Sequence, residues 1–517
     1  MIFQKCGKER KYMKTWWQKS GKKNSSEGQL DTQYHSLKDL LDTCRKSADF
    51  MRFQQNKHNF LCVTYVKTLV SPEILHRDIF LYLQDKKFKS YDELKNALPF
   101  ENIMVTNDVS EIQKKLFAGF IMIQLHEDDT SAMLLNALTE EKRAISIPEQ
   151  EYSVIGPKEA FVESLDINLN RIRKRLPIPE LTFVEIIVGN LSKTRVCVAY
   201  ISGVADEENV NTVVQRIKNI EYDEIVDSSF ITQMISDNRN SPFPQLIDTE
   251  RPDRTASVLA EGKIAILTDG SPSVLTGPTT LVEFFSAFED YFLTWHIASA
   301  FRLIRLFSVM FSVLSTPLYV AILTYHYELI PQDLLNKLVA SRSGIPFPPV
   351  LEAIILELTI ELLREAGARL PTKVGQTIGI VGGIVIGTAA VDAGLTSNVL
   401  LIVVALAALS SFTTPVYQMS NTIRLIRFPF ILFAQFLGLL GISVCFAFVL
   451  AHLLSLKSLG RPYIAPIYPL RIHDLKDALF RLPFSHQKLR PMQVRSQNPV
   501  RFKDKAKKKK KKPDIED

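Results

Sequence analysis

The sequence predicts a cytoplasmic N-terminal region of two α/β subdomains, followed by an α-helical multi-pass membrane domain. Its mean hydropathy of +0.05 over 517 residues lies between the values typical of soluble proteins and of transporters that are mostly membrane-embedded. Short alternating strands and amphipathic helices occupy the chain up to about residue 280, and long apolar stretches follow. The chain therefore combines a soluble part with a membrane part.

Domain boundaries follow changes of composition along the chain. The first residues are polar and rich in Lys, Ser and Gln, which is typical of disorder, and PEQEYSVIGP separates the two subdomains. Most of the excess basic charge lies near the C-terminus. The predicted organisation is a disordered segment (1–33), α/β subdomain 1 (34–147), a linker (148–157), α/β subdomain 2 (158–280), a membrane domain (281–455) and a basic C-terminal tail (456–517).

The elements of the two subdomains are assigned from alternation of apolar residues and from helix-start signals. The segment DEENV begins a helix with acidic residues at its N-terminus, where the helix dipole favours them. The turn at 269–272 closes the last strand. Strands are predicted at 60–70, 119–125, 195–204 and 262–268, and helices at 72–83, 158–176 and 206–220.

The two subdomains share a pattern that indicates a duplicated module. LCVTYVKTLVSPEIL and VCVAYISGVADEENV both run from a strand through a short turn into an acidic helix start. GFIMIQLHEDD and GKIAILTDGSP both run from a glycine through a buried strand to an acidic turn, at a nearly equal separation. The alternative is that any two α/β units look alike at this level of detail.

Four apolar stretches set the minimum number of membrane crossings. Each approaches or exceeds the roughly 20 residues that a bilayer requires. The aromatic, amphipathic segment 281–295 precedes them and suits a membrane interface. The stretches are 303–325, 374–391, 398–417 and 428–454.

A further apolar helix near 350–365 carries an acidic stripe. At 100° per residue, Glu357, Glu361 and Glu365 lie on one face, whereas Glu352 points elsewhere. Such a stripe must face water, a pore or a cationic partner. We treat the three glutamates as candidate pore-lining residues, and the alternative is an interfacial helix with solvated carboxylates.

Four glycines form a second candidate element. Gly375, Gly379, Gly383 and Gly387 are spaced four residues apart, which puts them on one helix face and allows another helix to approach closely in lipid. They are candidate helix-packing residues, either inside one subunit or between identical subunits around an axis. In the second case, glutamates on a nearby helix would form a carboxylate ring that favours cations.

The sequence gives no sign of an enzyme, a cofactor or a metal site. It has no P-loop, HExxH or GxSxG motif, and its nine histidines and five cysteines are dispersed. The run 126–129 is expected to be a solvated turn, because four adjacent side chains after a strand cannot converge on one ion. The lysine run 507–512 is expected to be solvated and to have no specific nucleic-acid partner.

The orientation of the membrane domain is only partly fixed by charge. The N-terminus has no apolar signal segment, so the soluble region is expected on the cytoplasmic side. The Lys-rich tail favours the same side, which an even number of crossings satisfies. Arg424 and Arg427, however, fall in a loop that four crossings would place outside.

Several long motifs connect the chain to a known family. They are FVESLDINLNRIRKRL (161–176), VGNLSKTRV (188–196), PFPQLIDTERPD (242–253), EGKIAILTDGSP (261–272), ELTIELLREAGARLP (357–371) and GQTIGIVGGIVIG (375–387). With these motifs, residues 55–470 closely resemble the A subunits of spore germinant receptors, the GerA family. The motif positions in the soluble region are Thr249, Glu250, Arg251, Pro252, Asp253, Asp269 and Gly270. The pair 190–191 departs from the family, which often has basic residues there.

The resemblance implies a multi-pass protein of the spore inner membrane, with its N-terminal domain on the core side. It implies a permease-like B subunit and a lipoprotein C subunit as partners, with the germinant bound mainly by a partner. Such A subunits are thought to form an oligomeric, ligand-gated cation channel, so a homo-oligomer is expected. The rival hypothesis is a secondary transporter of a small nutrient or ion, although transporters usually show inverted repeats. A structural membrane scaffold is a third option.

Overall fold

The computed structural model places two antiparallel β-sheets, each covered by helices, beside a bundle of apolar helices. The structure describes residues 34, 36–55, 61–83, 88–100, 102–139, 148–149, 151, 153–370, 382–471, 474–475, 478–484 and 487–501. The segment 1–33 and the lysine run 507–512 lie outside these residues.

Subdomain 1 is a five-stranded antiparallel sheet with helices on both faces. Its elements are α1 (Leu37–Cys44), β1 (Phe50–Gln55), β2 (Leu61–Val66), α2 (72–83, π-helical at Leu75–Phe80), α3 (Tyr91–Ala97), β3 (Ile103–Thr106), α4 (Val109–Leu116), β4 (Phe120–Gln124) and β5 (Ala132–Asn136). The strand order is β1-β2-β4-β5-β3. Ser36, Ser90 and Asp108 begin three of the helices by accepting hydrogen bonds from first-turn backbone N–H groups.

Subdomain 2 has the same construction. Its elements are α5 (Leu165–Arg175), β6 (Leu181–Val188), β7 (Thr194–Ile201), α6 (Glu207–Lys218), α7 (Ser228–Ile235), β8 (Ile247–Thr249), α8 (Pro252–Glu261), β9 (Ile264–Thr268) and β10 (Val274–Gly277). Asp206 and Asp227 cap α6 and α7. The predicted helix 158–176 begins only at Leu165, because residues 158–164 are not helical and the N–H of Phe161 donates instead to the carbonyl of Glu250 at 2.7 Å.

The two subdomains have the same element order and the same sheet topology. The sheet of subdomain 2 follows the order β6-β7-β9-β10-β8, which repeats the order of subdomain 1 position by position. The segments that the sequence pairs, around β2 with β7 and around β4 with β9, occupy equivalent places in the two sheets. This agreement favours the duplicated module over a chance likeness of two α/β units.

A buried ion pair joins the two subdomains. Arg173 of α5 reaches Asp49, which precedes β1, and both side chains are almost fully buried. Ser47 Oγ accepts a hydrogen bond from the backbone N–H of Phe183 in β6. The subdomains are therefore connected by polar contacts that are protected from water.

The helical bundle follows two 3₁₀ turns at Leu281–Phe285 and Phe288–Tyr291. In the described part of the chain, two helices are long and apolar enough to cross a membrane, the first and the last of the bundle. The predicted stretch 303–325 lies in the first, and the acidic stripe lies on the third. The helices are α9 (Trp295–Tyr325), α10 (Gln332–Arg342), α11 (Pro349–Ala368), α12 (Gly387–Asp392, after a π turn at Gly382–Ile386), α13 (Asn398–Ser411) and α14 (Tyr417–Ser455).

Helix α14 is a hairpin of two arms that reverses at Gly438. The backbone there has φ 60° and ψ −136°, which is not helical. Near the start of α14, the hydroxyl of Thr422 donates to the carbonyl of Pro242 at 2.5 Å. Near its end, His452 Nε2 lies 2.8 Å from the hydroxyl of Ser241. Because both ends of α14 contact adjacent residues of subdomain 2, the arms 417–437 and 439–455 are antiparallel.

The hairpin changes two expectations about this part of the chain. The stretch 428–454 is not one straight helix, since the glycine in its middle reverses the chain. Arg424 and Arg427 do not lie in a loop but in the first arm of α14, with buried side chains. The tip of the hairpin packs against the end of α9, where the hydroxyl of Tyr325 donates to the carbonyl of Gln435 at 2.9 Å.

Replacing Gly438 by alanine is expected to lower the stability of the bundle by about 1–3 kcal/mol, because the backbone conformation is one that only glycine adopts readily. The added Cβ would also lie 2.9 Å from Nε2 of His326 and 3.2 Å from Cβ of Tyr325. Thermal unfolding of the detergent-solubilised chain measures the change. Gly367→Ala is the matched control, because that glycine has no atom within 4 Å of its added Cβ. Equal melting temperatures for both variants would contradict the hairpin.

The segment after α14 is folded against subdomain 2 rather than being only a basic tail. A short hairpin of Lys457–Ser458 and Arg461–Pro462 follows the helix. Tyr463 is fully buried, and Arg461 forms an ion pair with Asp206 at 2.7 Å. Further along, the hydroxyl of Ser496 donates to the carbonyl of Val204 at 2.8 Å. The C-terminal segment and subdomain 2 therefore lie on the same side of the bundle.

Candidate functional site

The acidic stripe of α11 begins inside the bundle at Glu357. This side chain is 1% exposed. It accepts a hydrogen bond from the hydroxyl of Thr316 at 2.8 Å and forms an ion pair with Arg427. A solvated carboxylate is therefore wrong for Glu357. The stripe was expected to face water, a pore or a cationic partner. Glu357 faces a cationic partner, Arg427, which belongs to the same chain.

The guanidinium of Arg427 connects four helices. It belongs to α14, and it bonds the carboxylate of Glu357 on α11. It also donates to the hydroxyl of Ser312 on α9 at 2.7 Å and to the carbonyl of Ala407 on α13 at 3.4 Å. We call this group the Arg427 junction. An arginine can make these contacts because its five N–H donors point in several directions in one plane.

Glu361 lies one turn further along α11 and is half-buried. It forms an ion pair with Arg364 of its own helix, and its Oε1 lies 3.6 Å from Nε of Arg424 on α14. Arg424 also donates to the hydroxyl of Ser420 at 3.1 Å. A second arginine of the same α14 arm thus faces the second glutamate of the stripe.

The charge pattern continues at both ends of α11. Toward its start, Glu352 is fully buried, pairs with Arg342 at 2.7 Å and accepts from the backbone N–H of Ser397 at 3.3 Å. Toward its end, Glu365 is exposed and pairs with Arg369 at 2.5 Å. Along α11, the stripe carboxylates of Glu357, Glu361 and Glu365 therefore form a column that runs from buried to exposed, with an arginine beside each.

This column can hold helices in a fixed relation and can supply charge along one side of the bundle. Removing one member of a buried pair leaves an uncompensated charge in an apolar environment, which costs about 3–5 kcal/mol. Half-buried Glu361 is the member where water or a cation can compete with the arginines, since its oxygens are partly exposed. Among the described residues, no group of three or more His, Cys, Asp or Glu side chains could hold a metal ion.

The glycine ladder is described only in part. Gly375 and Gly379 lie outside the described residues. Gly383 is exposed, and a Cβ added there would meet no atom within 4 Å. At Gly387 the nearest atom to an added Cβ is Leu401 Cδ2 at 3.6 Å. At Gly383, the described part of the chain therefore provides no close helix crossing.

The motif around Arg251 joins the linker, subdomain 2 and the first turns of the bundle. Thr249 hydrogen-bonds Glu151 of the linker through its hydroxyl. Arg251 is buried and donates to Ser153 of the linker. Its guanidinium lies over the ring of Phe288, 5.6 Å from the centroid, in the turn that precedes α9. These residues were selected from the sequence only as family positions, and the structure brings them together at a domain joint.

The neighbouring motif residues support this joint. Glu250 accepts a hydrogen bond from the linker backbone N–H of Glu149 at 2.8 Å. Asp253 pairs with Arg251 at 2.7 Å and orients its guanidinium. Pro252 is the first residue of α8, where a missing N–H costs nothing.

Asp269 and Gly270 lie away from this joint and support the start of α5. The carboxylate of Asp269 accepts from the backbone N–H of Leu165 at 3.0 Å. The N–H of Gly270 donates to the carbonyl of Glu163 at 2.8 Å, and its φ of 87° explains the glycine. Their role is therefore to hold the helix on the sheet.

One buried carboxylate of subdomain 2 was not identified from the sequence. Burial, together with the nearby carboxylate of Asp227, raises the pKa of Asp248 on β8 to about 7. Within the described residues, its Oδ1 is buried and has no hydrogen-bond partner. In the sequence, Asp248 is one acidic residue in a short strand, and nothing there indicates that its carboxylate is enclosed.

The raised pKa predicts that Asp248 makes stability depend on pH. In the unfolded chain its pKa is near 4, so the folded state holds the proton more tightly. The contribution is full below about pH 4 and is lost as the pH rises through about 7. In Asp248→Asn, we expect a smaller decrease of the melting temperature between pH 5 and pH 8 than in the parent chain. Equal decreases in the two proteins would contradict the enclosed carboxylate.

The fold and the site define a class of protein in which paired antiparallel α/β modules are joined to an apolar helical bundle with internal arginine–carboxylate pairs. The family model for the Bacillus/Clostridium GerA spore germination protein matches residues 35–493. The chain belongs to the GerA family of spore germination proteins. This confirms the resemblance that the motifs carry.

Individual relatives cover most of the chain. Spore germination protein GerQA of Bacillus cereus is 52% identical over 473 residues, which are 91% of this chain and 95% of that protein. Spore germination protein GerIA of Bacillus cereus is 46% identical over 90% of this chain and 70% of its own length. The crystal structure of the N-terminal domain of the A subunit of the Bacillus megaterium spore germinant receptor GerK3 is 24% identical, with a TM-score of 0.34, and covers 47% of this chain and 92% of that chain.

Proposed function

We propose that this chain is the A-type membrane subunit of a nutrient germinant receptor in the spore inner membrane. Several copies form a ligand-gated cation channel, together with a permease-like B subunit and a lipoprotein C subunit. The observation that carries the proposal is the column of arginine–carboxylate pairs inside an apolar bundle, centred on the Arg427 junction. The germinant is bound mainly by a partner, and this chain converts that binding into an open path.

The distribution of polar and apolar side chains supports a bundle in lipid. Charged residues lie inside the bundle, as at Glu357 and Arg427, whereas large apolar side chains such as Phe307 and Phe436 point outward. A soluble domain has the reverse arrangement. In a bilayer, however, buried charges are paired and the lipid-facing surface is apolar.

The course of the chain supports six crossings. Subdomain 2 and the C-terminal segment pack together, which requires an even number of crossings between them. We count α9, α11, α13, the two arms of α14 and one return between α11 and α13, because Ser397 before α13 contacts Glu352 near the start of α11. With the soluble region on the core side, six crossings do not place Arg424 and Arg427 in an external loop. Both side chains are paired inside the bundle.

The conduction path is proposed along the Glu361 side of α11. Glu361 is half-buried beside two arginines, so its carboxylate is available in part to a passing cation. Copies of the chain would meet at the exposed Gly383 face and bring their Glu361 residues around one axis. Partners would act through the Arg251–Phe288 joint, because it connects the soluble region to the start of α9.

Potassium release from spores tests this function. We expect Glu361→Gln to lower nutrient-triggered potassium release several-fold at matched protein level, because the variant leaves Arg424 as an uncompensated positive charge in the path. Glu221→Gln is the matched control, since it removes the same charge from an exposed position of subdomain 2. Parental release in the Glu361 variant would remove this side chain from the conduction path.

A further inference from the structure

We propose that the C-terminal segment, described at 466–471 and 478–484, lies in the headgroup layer of the bilayer and inserts apolar side chains into it, on the side of subdomain 2. The proposal rests on the membrane location of the bundle given above. It assigns a lipid-binding role to a segment whose sequence indicates only a basic tail. The occupant of this surface is lipid, not a second protein.

The segment is fixed beside the first turns of α9. The buried side chain of Arg481 donates to the carbonyls of Tyr291 at 3.2 Å and Leu293 at 3.4 Å. The hydroxyl of Ser299, in the second turn of α9, donates to the carbonyl of Arg481 at 3.2 Å. Residue 481 is therefore at the same height along the bundle axis as the beginning of α9.

The side chains on either side of this anchor point outward. Leu470 is 65% exposed and Phe484 is 58% exposed, although leucine and phenylalanine are normally buried. Among the described residues of the segment, Ile467, Tyr468 and Phe480 are exposed as well. The ring of Phe484 also stacks on Arg481, whose guanidinium lies 4.5 Å from its centroid. Five such residues in so short a segment are more than scattered surface exposure explains.

The apolar surface of the segment continues into that of the bundle. Phe292 and Trp295 are exposed at the start of α9, next to the anchor, and Ile297 and Phe301 are exposed in the following turns. Aromatic side chains at the boundary between polar and apolar surface are typical of membrane interfaces. Because lipid covers Ile297 and Phe301 in the proposed orientation, the same lipid reaches the exposed side chains at the height of Ser299. This continuity favours lipid over a protein partner.

Spin labels in the full-length chain, reconstituted in phosphatidylglycerol–phosphatidylethanolamine vesicles, measure the depth of these positions. Cys6 is replaced by serine, and the cysteines at 44, 62, 197 and 445 are retained because they are buried. Labels are placed at Leu470→Cys and Phe480→Cys, and their collision rates with oxygen and with an aqueous nickel chelate are compared. We expect oxygen to be favoured at both positions, as it is inside a bilayer.

Two control positions make the outcomes distinct. Leu191→Cys, at the 78% exposed tip of subdomain 2, must favour the nickel chelate. Phe301→Cys on α9 must favour oxygen. Labels at 470 and 480 that behave like the label at 191, or that neither reagent reaches, overturn the lipid contact, the second result indicating a protein cover. If the label at Phe301 also favours the nickel chelate, the membrane location of the bundle fails instead.

Discussion

Replacing Arg427 by methionine is expected to unfold the helical bundle, or to lower its stability by about 3–5 kcal/mol. The variant leaves the carboxylate of Glu357 buried, with the hydroxyl of Thr316 as its remaining partner among the described residues. It also removes the donors that bind Ser312 on α9 and Ala407 on α13. Protein level in spore membranes and thermal unfolding in detergent measure the effect.

Two further variants decide whether the buried charge is the cause. Arg369→Met removes an exposed ion pair of the same helix and should change stability by at most about 1 kcal/mol. The double variant Glu357→Leu, Arg427→Met removes both buried charges, and we expect it to recover much of the lost stability. A double variant as unstable as Arg427→Met alone would show that packing, not charge, dominates at the junction.

Replacing Arg173 by methionine is expected to separate the two subdomains, at a cost of about 3–5 kcal/mol. Asp49 accepts from Arg173 Nε at 3.0 Å and Nη2 at 2.8 Å. Among the described residues, the variant leaves this carboxylate with the hydroxyls of Ser47 and Thr68. The contact of the guanidinium with the ring of Phe183 is lost as well. Limited proteolysis of the linker and thermal unfolding report the separation.

The surface arginine Arg195 provides the control for this variant. Arg195→Met removes ion pairs with Asp166 and Glu185 that are partly exposed, so a change of at most about 1 kcal/mol is expected. If both variants resist proteolysis equally, the Arg173–Asp49 pair does not hold the subdomains together.

The central strands of both sheets could be predicted from the sequence. The buried strands β2, β4 and β9 lie inside the predicted ranges and β7 begins one residue before its range, because continuous apolar runs bounded by turns have few other solutions. The edge strands β3 and β8 have three or four residues and no clear alternation, so only pairing in the folded sheet defines them. The common strand order follows from the duplicated sequence pattern rather than from any single strand.

The sequence predicts the carboxylates of the site but not the arginines that pair with them. The stripe of Glu357 and Glu361 is visible because helical spacing places these residues on one face. Their partners Arg424 and Arg427 were assigned to a loop, because hydropathy alone places a single span through Gly438 and hides the reversal. The sequence signal for such a pairing has two parts. Two arginines lie three residues apart beside an apolar run, and an acidic stripe lies on another apolar helix.

Potassium flux through the purified receptor in proteoliposomes tests the central claim most directly. The chain is reconstituted with the proposed B and C partners in potassium-loaded vesicles, and the germinant is added outside. We predict potassium efflux that follows the electrochemical gradient and that decreases several-fold with Glu361→Gln but not with Glu221→Gln. Absence of germinant-triggered efflux, or efflux that occurs only with stoichiometric uptake of the germinant, would contradict a channel, the second result indicating a secondary transporter.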